Sequence, residues 1–596
     1  MPIHKCWLAG GLALLVGLVA GCEGWGKRDI GPEPRPEPYK PANVLLEDTV
    51  GAYAVIGTAY AQHLRGYGLV VGLGDNGGSD CPTIIRDYLI DYLGRRASAR
   101  APRRERIKFS PRKLIDSLDT AVVVVHGLVP PGAPQGTVFD LQLQAVGTQT
   151  RSLAGGVLIP CELRRYDATA VGKELVTGPA LALGAGLIYT TPRLTGQPAE
   201  AHDPRRGFVL GGGRTVETRT VRLLLREPSY WMARRIERRI NERFGQYPKT
   251  ADAVSKGYLE LTTPAAYADR PMHFVDLATH LYLENTPQQV EAKLMQIAQH
   301  LDEGEESLKH ISLIWEGIGR AVLPHIQPLY VHGDAGVRFY AARAGIRLRD
   351  AGAVGPLAQT AADPRDPHRL EAITELGRCS YPQAARPLVE LLDDADTVVR
   401  VAAYEALRRH QHPALQTMRF TSPIDPTRDN LVLDVLKSHG PPMIYVHTAH
   451  EPRIAVFGAE TPLIVPLFYS HPEDWVILNA PQADGDVSVL WRTRSGRRVS
   501  EPIIIAPRVA DLVRVLADAP RPGPDGQLRG IGLDYSLIIE VLDNLCSSGV
   551  IPADLLMQET LMQDLLAPPE RPERPEADES LPAEPNTPPA DAGDAQ

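Results

Sequence analysis

Gly72, Gly74 and Gly77, at the end of the apolar run YGLVVGL at residues 67–73, spell G-x-G-x-x-G, the spacing that lets backbone N–H groups approach a pyrophosphate. That chemistry needs the third glycine inside the first turn of a helix, where free N–H groups point at the anion. Here Gly78, Ser79, Asp80, Cys81 and Pro82 intervene before helical periodicity begins with Ile84, Ile85, Tyr88 and Leu89. About twenty residues on, where an acid should hold a ribose, the chain is basic from Arg95 to Arg106. The glycines therefore read as turn-makers, and no cofactor is expected. His447, His450 and Glu451 have the side chains of a metal site, but they sit at a strand end without the i, i+4 spacing of a zinc helix. Structural or solvated histidines are expected there, and no metal. No nucleophile, base and orienter converge on the glycine turns, so the chain is not read as an enzyme.

The cysteines carry other chemistry. Lys5, an uncharged apolar segment at residues 7–20 and then Val19-Ala20-Gly21-Cys22 resemble the leader and lipobox of a bacterial lipoprotein, with Cys22 as the lipidated residue. Glu23 in the next position favours the outer membrane, and acyl chains would anchor the mature chain. Cys81, Cys161, Cys379 and Cys546 would then lie in an oxidising compartment. Cys379 and Cys546 read as buried small hydrophobes.

The elements that must position these residues come from patterning. The chain of 596 residues is too long for one core, and 43% hydrophobic with 23% charged residues is ordinary globular composition. A net charge of −9 argues against general nucleic-acid affinity. After the leader (residues 1–21), a Pro-rich tether occupies residues 22–42. Residues 95–113 carry nine cations with little apolar interruption, read as a solvated loop or a contact for an anionic partner such as cell-wall polymer or an acidic neighbouring subunit. Residues 121–125 form a β-branched run, Pro130 and Pro131 a rigid turn, and Phe139, Leu141 and Leu143 alternate with polar residues as in a strand with one wet face. Val221 to Leu225 read as a strand. The helix that follows places Met232, Ile236 and Ile240 on one face, Arg234, Arg235, Arg238 and Arg239 on the other, and stops at Gly245.

The run GYGLVVGLGDNG at residues 66–77 resembles the opening signature of the flagellar P-ring protein family. So do the Pro-Pro turn, Asp140, Val146-Gly147, SLAGGVL at residues 152–158, the glycine turn and Thr-Val-Glu at residues 211–217, and Ile240-Asn241. The resemblance spans residues 43–285 and implies a structural subunit of a periplasmic ring around the flagellar rod, serving motility. It also implies partners: further copies of itself, rod and outer-ring proteins, and peptidoglycan. Within it, Cys81 and Cys161 are candidates for a disulfide whose connectivity the spacing leaves open. Strand edges beside the glycine turns, at Gly66, Tyr67, Gly68, Gly72, Gly74, Asp75, Gly155 and Gly156, are the candidate subunit contacts, because an unpaired edge is a template for a neighbour.

Beyond residue 285 the pattern turns helical. Arg338, Arg369 and Arg400 recur every 31 residues, as do Ala341, Ala372 and Ala403, and the helix VRVAAYEALRR looks like a HEAT-type repeat. A solenoid over residues 286–418 follows, either offering a face to protein or capping the neighbouring sheet. Residues 428–558 read as a small α+β domain, and residues 567–596 as an acidic, disordered tail. The expected fold class is α+β multidomain: a β-rich P-ring-like module, an α-solenoid of HEAT-like helix pairs and an α+β C-terminal domain. The alternative function is a lipid-anchored envelope adaptor that binds protein through its solenoid.

Overall fold

The computed structural model describes residues 43–57, 59–100, 110–165, 178–190, 203–422, 427–471, 475–492, 500–522 and 528–558. The leader, Cys22, the tether, the acidic tail and the centre of the basic segment lie outside the described residues.

Strands β1 (Ala54–Ile56) and β2 (Gln62–Val71) lead into α1 (Thr83–Arg100) and α2 (Pro111–Ile115). There follow β3 (Thr120–Val129), β4 (Val138–Ala145), β5 (Val157–Arg165), β6 (Ala182–Leu187) and β7 (Arg206–Thr215). These close into a six-stranded antiparallel barrel in the order β2-β3-β4-β7-β6-β5. Alternation supplies its interior: Val123 and Val125 from β3, Leu141 and Leu143 from β4, and Leu158 and Leu163 from β5 point inward. Val122 and Leu69 face outward but are covered by Ile85, Leu89 and Leu93 of α1, so β3 is buried on both sides and its sequence shows no polar face. Where β2 crosses β5 the register shifts, and a Cβ on Gly66 would lie 2.2 Å from the Glu162 carbonyl oxygen; only glycine fits.

The remaining strands of this half, β8 (Val221–Leu225), β9 (Ala251–Ala253) and β10 (Tyr258–Leu261), form with β1 an antiparallel sheet ordered β1-β8-β10-β9. Helices α3 (Tyr230–Phe244) and α4 (Pro271–Thr279) cover it. Ser229 caps α3 by accepting from the Met232 N–H, and Met232, Ile236 and Ile240 are buried as the spacing predicts. The arginine face is not uniform. Arg239 is buried and donates through Nε to the Tyr282 carbonyl, because its position beside Ile236 and Ile240 turns it toward the core.

The helices that follow include α5 (Pro287–Ala298), α6 (Glu305–Ile318), α7 (Ala335–Arg347), α8 (Val354–Ala362), α9 (Arg369–Arg378), α10 (Ala385–Glu390) and α11 (Thr397–Arg409), with a single turn at Leu323–Ile326 between α6 and α7. The 31-residue period has a mechanical meaning. Arg369 donates through Nε to the Ala361 carbonyl, and Arg400, one repeat on, donates through Nε to the Leu392 carbonyl. Each closes the end of the preceding helix pair, a free carbonyl that needs a donor. Ala341, Ala372 and Ala403 are fully buried, small enough for neighbouring helices to approach.

The C-terminal unit begins at Leu415, within the stretch assigned to the solenoid. Strands β11 (Leu415–Thr421), β12 (Asp429–Leu436), β13 (Met443–His447) and β14 (Arg453–Phe457) form a mixed sheet. A second sheet contains β15 (Leu467–Ser470), β16 (Val476–Ala480), β17 (Val487–Trp491) and β18 (Ile503–Ile505). Then come α12 (Val509–Ala517), the ribbon β19 (Arg521–Pro522) with β20 (Leu528–Arg529), α13 (Tyr535–Ser547) and β21 (Asp554–Met557). Strand β21 joins the edge of the first sheet, ordered β11-β12-β14-β13-β21. One face of that sheet packs on the solenoid through Tyr404, Tyr445 and Phe457; the other packs on α12, α13 and the second sheet. The solenoid thus caps the neighbouring sheet, as one of its two readings anticipated.

Candidate functional site

Part of the stretch carrying the resemblance, the turn at residues 72–78 with Val146-Gly147 and residues 152–155, meets at one end of the barrel. Gly72 and Gly74 hold positive φ, 84° and 60°, and bend the chain off β2. Their loop is not a phosphate cradle. The Gly74 N–H donates to Asp119 Oδ1 at 2.7 Å, and the Gly77 and Gly78 N–H groups donate to the Leu118 and Thr120 carbonyls at 2.9 Å each. These amides tie the loop to the start of β3. Asp80 ties it to the β4–β5 turn, accepting from the backbone N–H groups of Thr148 and Gln149 and from the Thr148 hydroxyl. Burial alone would raise the Asp80 carboxyl; these hydrogen bonds outweigh it and hold the pKa below its usual range. The Arg151 N–H donates to the Asn76 carbonyl at 2.8 Å, so two turns some eighty residues apart form one surface. On it Gly72, Gly74 and Asp75 are exposed and Gly155 is half-buried.

Gly66, Tyr67 and Gly68 lie elsewhere. They belong to β2, whose neighbours are β3 on one side and β5 on the other; a closed barrel leaves no strand edge there. Gly66 and Gly68 are buried against Glu162 and Leu158, so they serve this chain's own packing, and the premise of an unpaired edge fails. Gly156 is likewise buried, beneath Leu73 and Val70. Among the described strands, open edges belong to β1, β9, β11, β21, β15 and β18 and to both strands of the β19-β20 ribbon.

Cys81 and Cys161 are both free thiols. Cys161 points into the barrel, where burial pushes its thiol up to about 12, whereas Cys81 packs among the residues beneath α1. Belonging to different clusters, they do not form the disulfide.

The histidines near residue 450 do structural work. Asp140 is buried, and its Oδ1 accepts from the Gly211 N–H at 2.6 Å and the His450 N–H at 2.8 Å, fastening the C-terminal unit to the barrel. Burial raises the Asp140 pKa, opposed by His450 and these two hydrogen bonds. Glu451 pairs with Arg408 and Arg419. His447 is buried, and desolvation, with Arg453 nearby, lowers its pKa to about 3. Among the described residues no group of three His, Cys, Asp or Glu side chains could hold a metal ion.

Sequence reasoning missed two polar clusters at the seams. Asp434, fully buried, accepts from Tyr404, Arg408 and Thr417 where α11 meets β12. Glu316 accepts from His273 at 3.0 Å and from Arg347, and Arg347 pairs with Glu375 at 2.7 Å, where α4 meets the solenoid. Burial alone would raise the Glu375 carboxyl, but Arg347 overrides it and brings the pKa to about 2. A charged residue inside an apolar strand, as in Asn430-Leu431-Val432-Leu433-Asp434-Val435-Leu436, was the signal for the first. The second, on helices far apart in sequence, left none.

Residues 52–295 match the family model of the flagellar P-ring protein, and residues 323–408 match that of HEAT repeats. The chain is similar to the flagellar P-ring protein of Anaeromyxobacter dehalogenans strain 2CP-C, 32% identical over 222 residues covering 36% of this chain and 54% of the relative. It is also similar to those of Aquifex aeolicus, 29% identical over 244 residues (39% of this chain, 61% of the relative), and Thermotoga maritima, 28% over 227 residues (37% and 63%). The chain spans about half to three fifths of the length of these relatives.

Proposed function

We propose that this chain is the subunit of a P-ring-like ring encircling the flagellar rod in the periplasm, a structural part and not a catalyst. The observation that carries this reading is the match over residues 52–295, which takes in the whole barrel and the four-stranded sheet with its covering helices. A ring of identical subunits requires a heterologous contact, two different patches on each copy. The exposed turn at Gly72, Gly74 and Asp75 with its neighbour Gly155 is the part of the expected contact set available for one. Lipidation of Cys22 would hold the subunit at the outer membrane, and contacts with rod, outer-ring proteins and peptidoglycan belong to the same reading. In it the solenoid and C-terminal unit are additions that brace the barrel.

Size measurement and imaging of native particles extracted in detergent test this. A large annular oligomer is expected, together with loss of motility and of the corresponding basal-body ring on gene deletion. A monomer from a host whose motor is intact without the gene would overturn the ring and favour the adaptor.

A further inference from the structure

A cleft lies along the seam between barrel and C-terminal unit, in two adjoining compartments. One, of about 210 Å³, is mostly apolar, walled by Leu187 and the Gly155-Gly156 turn on the barrel side and by Trp475, Trp491 and Leu533 on the other. The second, of about 340 Å³, is polar, with Asn76 and Ser152 from the barrel and His471 and Glu540 from the C-terminal unit. Trp475 and Leu537 line both. Cavities of about 300–1,000 Å³ are the usual size of small-molecule sites. The barrel wall belongs to the glycine turns of the family match, and the other wall to the domain beyond it.

The groups in the cleft define what it would take. Trp475 is only 3% exposed, yet its indole N–H has no acceptor among the described residues. An unpaired buried donor is costly, and a ligand carbonyl at that point would relieve it. His471 packs on the indole with ring centroids 4.0 Å apart and holds it in place. Glu540 is about half exposed, its Oε1 3.2 Å from His471 Nε2. A carboxylate has about four lone-pair sites, so that pairing leaves room for hydroxyl donors. Asn76 is exposed and brings an amide, and Ser152 a hydroxyl. Asp534 is engaged in capping α13, where it accepts from the Leu537 N–H. Among the described residues lining the two compartments there is no lysine or arginine, so an anionic ligand finds no counter-charge. The matching ligand is neutral, carries hydroxyls and sets a carbonyl beside a small apolar group.

An N-acetylated amino sugar combines those features in one residue. A glucose polymer has the hydroxyls without the carbonyl and methyl; a peptide has a carbonyl and apolar groups without the run of hydroxyls. We propose that the seam cleft binds N-acetylated hexosamine units of a polysaccharide. The acetamido carbonyl accepts from the Trp475 indole N–H, and its methyl enters the apolar compartment beside Leu187 and Leu533. Ring hydroxyls donate to Glu540 and accept from the Asn76 amide. The proposal rests on the periplasmic reading above, which sets the chain among glycan strands that carry an acetamido group on every sugar, and it gives the peptidoglycan contact of that reading a location.

Isothermal titration calorimetry of the full chain with tri-N-acetylchitotriose, and with cellotriose as the sugar lacking acetamido groups, tests this. Chitotriose is expected to bind, and cellotriose to bind at least tenfold more weakly. Trp475→Phe keeps an aromatic ring and removes the N–H; Glu540→Ala removes the hydroxyl acceptor at a half-exposed position where folding is not at stake. Each should weaken chitotriose binding at least fivefold. Co-sedimentation with purified sacculi separates the sources: retention of wild type but not of Glu540→Ala assigns the ligand to the wall, and chitotriose binding without retention assigns it to a soluble oligosaccharide of the same class. No chitotriose binding, equal binding of the two sugars, or unchanged affinity in both variants overturns the cleft assignment. If annular particles form and no sugar binds, the ring reading stands without this site; if chitotriose binds and native particles are monomeric, the ring reading falls and the sugar site stands.

Discussion

At the scale of single residues, the polar groups that organise this chain are those whose hydrogen bonds cross between units. Asp140 satisfies two backbone N–H groups, one from the barrel and one from the loop at His450. Asp140→Ala orphans both, and should lower the unfolding free energy by about 2–4 kcal/mol in urea titration. Asp140→Asn keeps an acceptor and should cost less than half as much. The buried histidines predict the pH response. Desolvation, reinforced by His63 and Arg65 at His126, by His310 and His273 at His280 and by Arg453 at His447, lowers His126 and His280 to about 4 and His447 to about 3. As pH falls below 6.5 the unfolded chain takes up these protons before the folded chain does, so stability declines from about pH 6.5 down to the folded values. Glu375, at about 2, contributes stability that is complete above its ordinary range near 4.5 and lost as pH falls toward 2. Both act in one direction. The urea midpoint should be flat near neutrality and fall steadily below pH 6.5, and His447→Gln should reduce that slope; a midpoint that rises on acidification would contradict the assignment.

At the scale of elements, glycine has two separate uses. At Gly66 it allows β2 to approach β5, and a methyl group there has nowhere to go but the Glu162 carbonyl. At Gly72 it turns the chain with φ of 84° and nothing within 4 Å of the missing Cβ. Gly66→Ala should therefore cost more than about 2 kcal/mol by thermal or urea unfolding. Gly72→Ala should cost about 1–2 kcal/mol for the left-handed backbone alone and leave a folded monomer in which assembly can be scored separately. The opposite ranking would mean that the β2–β5 crossing is looser than its geometry. Period and alternation made these elements legible: Phe139, Leu141 and Leu143 announce a half-wet strand, and Arg338, Arg369 and Arg400 announce a repeat. The partner of each strand was not legible. Pairing of β2 with β5, some ninety residues away, depends on barrel closure, and closure is what removes the edge expected at Gly66–Gly68.

At the scale of the whole molecule, cores run across the boundaries that composition suggests. One apolar cluster reaches from Leu45 through the solenoid to Phe457, and a second joins Tyr189 and Phe208 of the barrel region to Trp475 and Tyr535. Tyr189 packs edge-on to Tyr535 at 5.5 Å. Parts sharing cores and buried ion pairs should unfold together, so calorimetry is expected to give one dominant transition across barrel, solenoid and C-terminal unit. Three well-separated transitions would show that the seams contribute little.

By itself the sequence determined what is local: the glycine turns, the strand alternation, the 31-residue helical repeat, the family resemblance of the first half and the basic character of residues 95–113. Those follow from backbone sterics and side-chain periodicity, which neighbouring residues settle among themselves. Only the tertiary structure decided which edges are closed, that Cys81 and Cys161 lie in different clusters, that His450 and Glu451 fasten two units, and that the glycine turns wall a cleft with Trp475 and Glu540. Each of these depends on segments far apart along the chain being brought together by burial of shared apolar surface, and no spacing in the sequence encodes that.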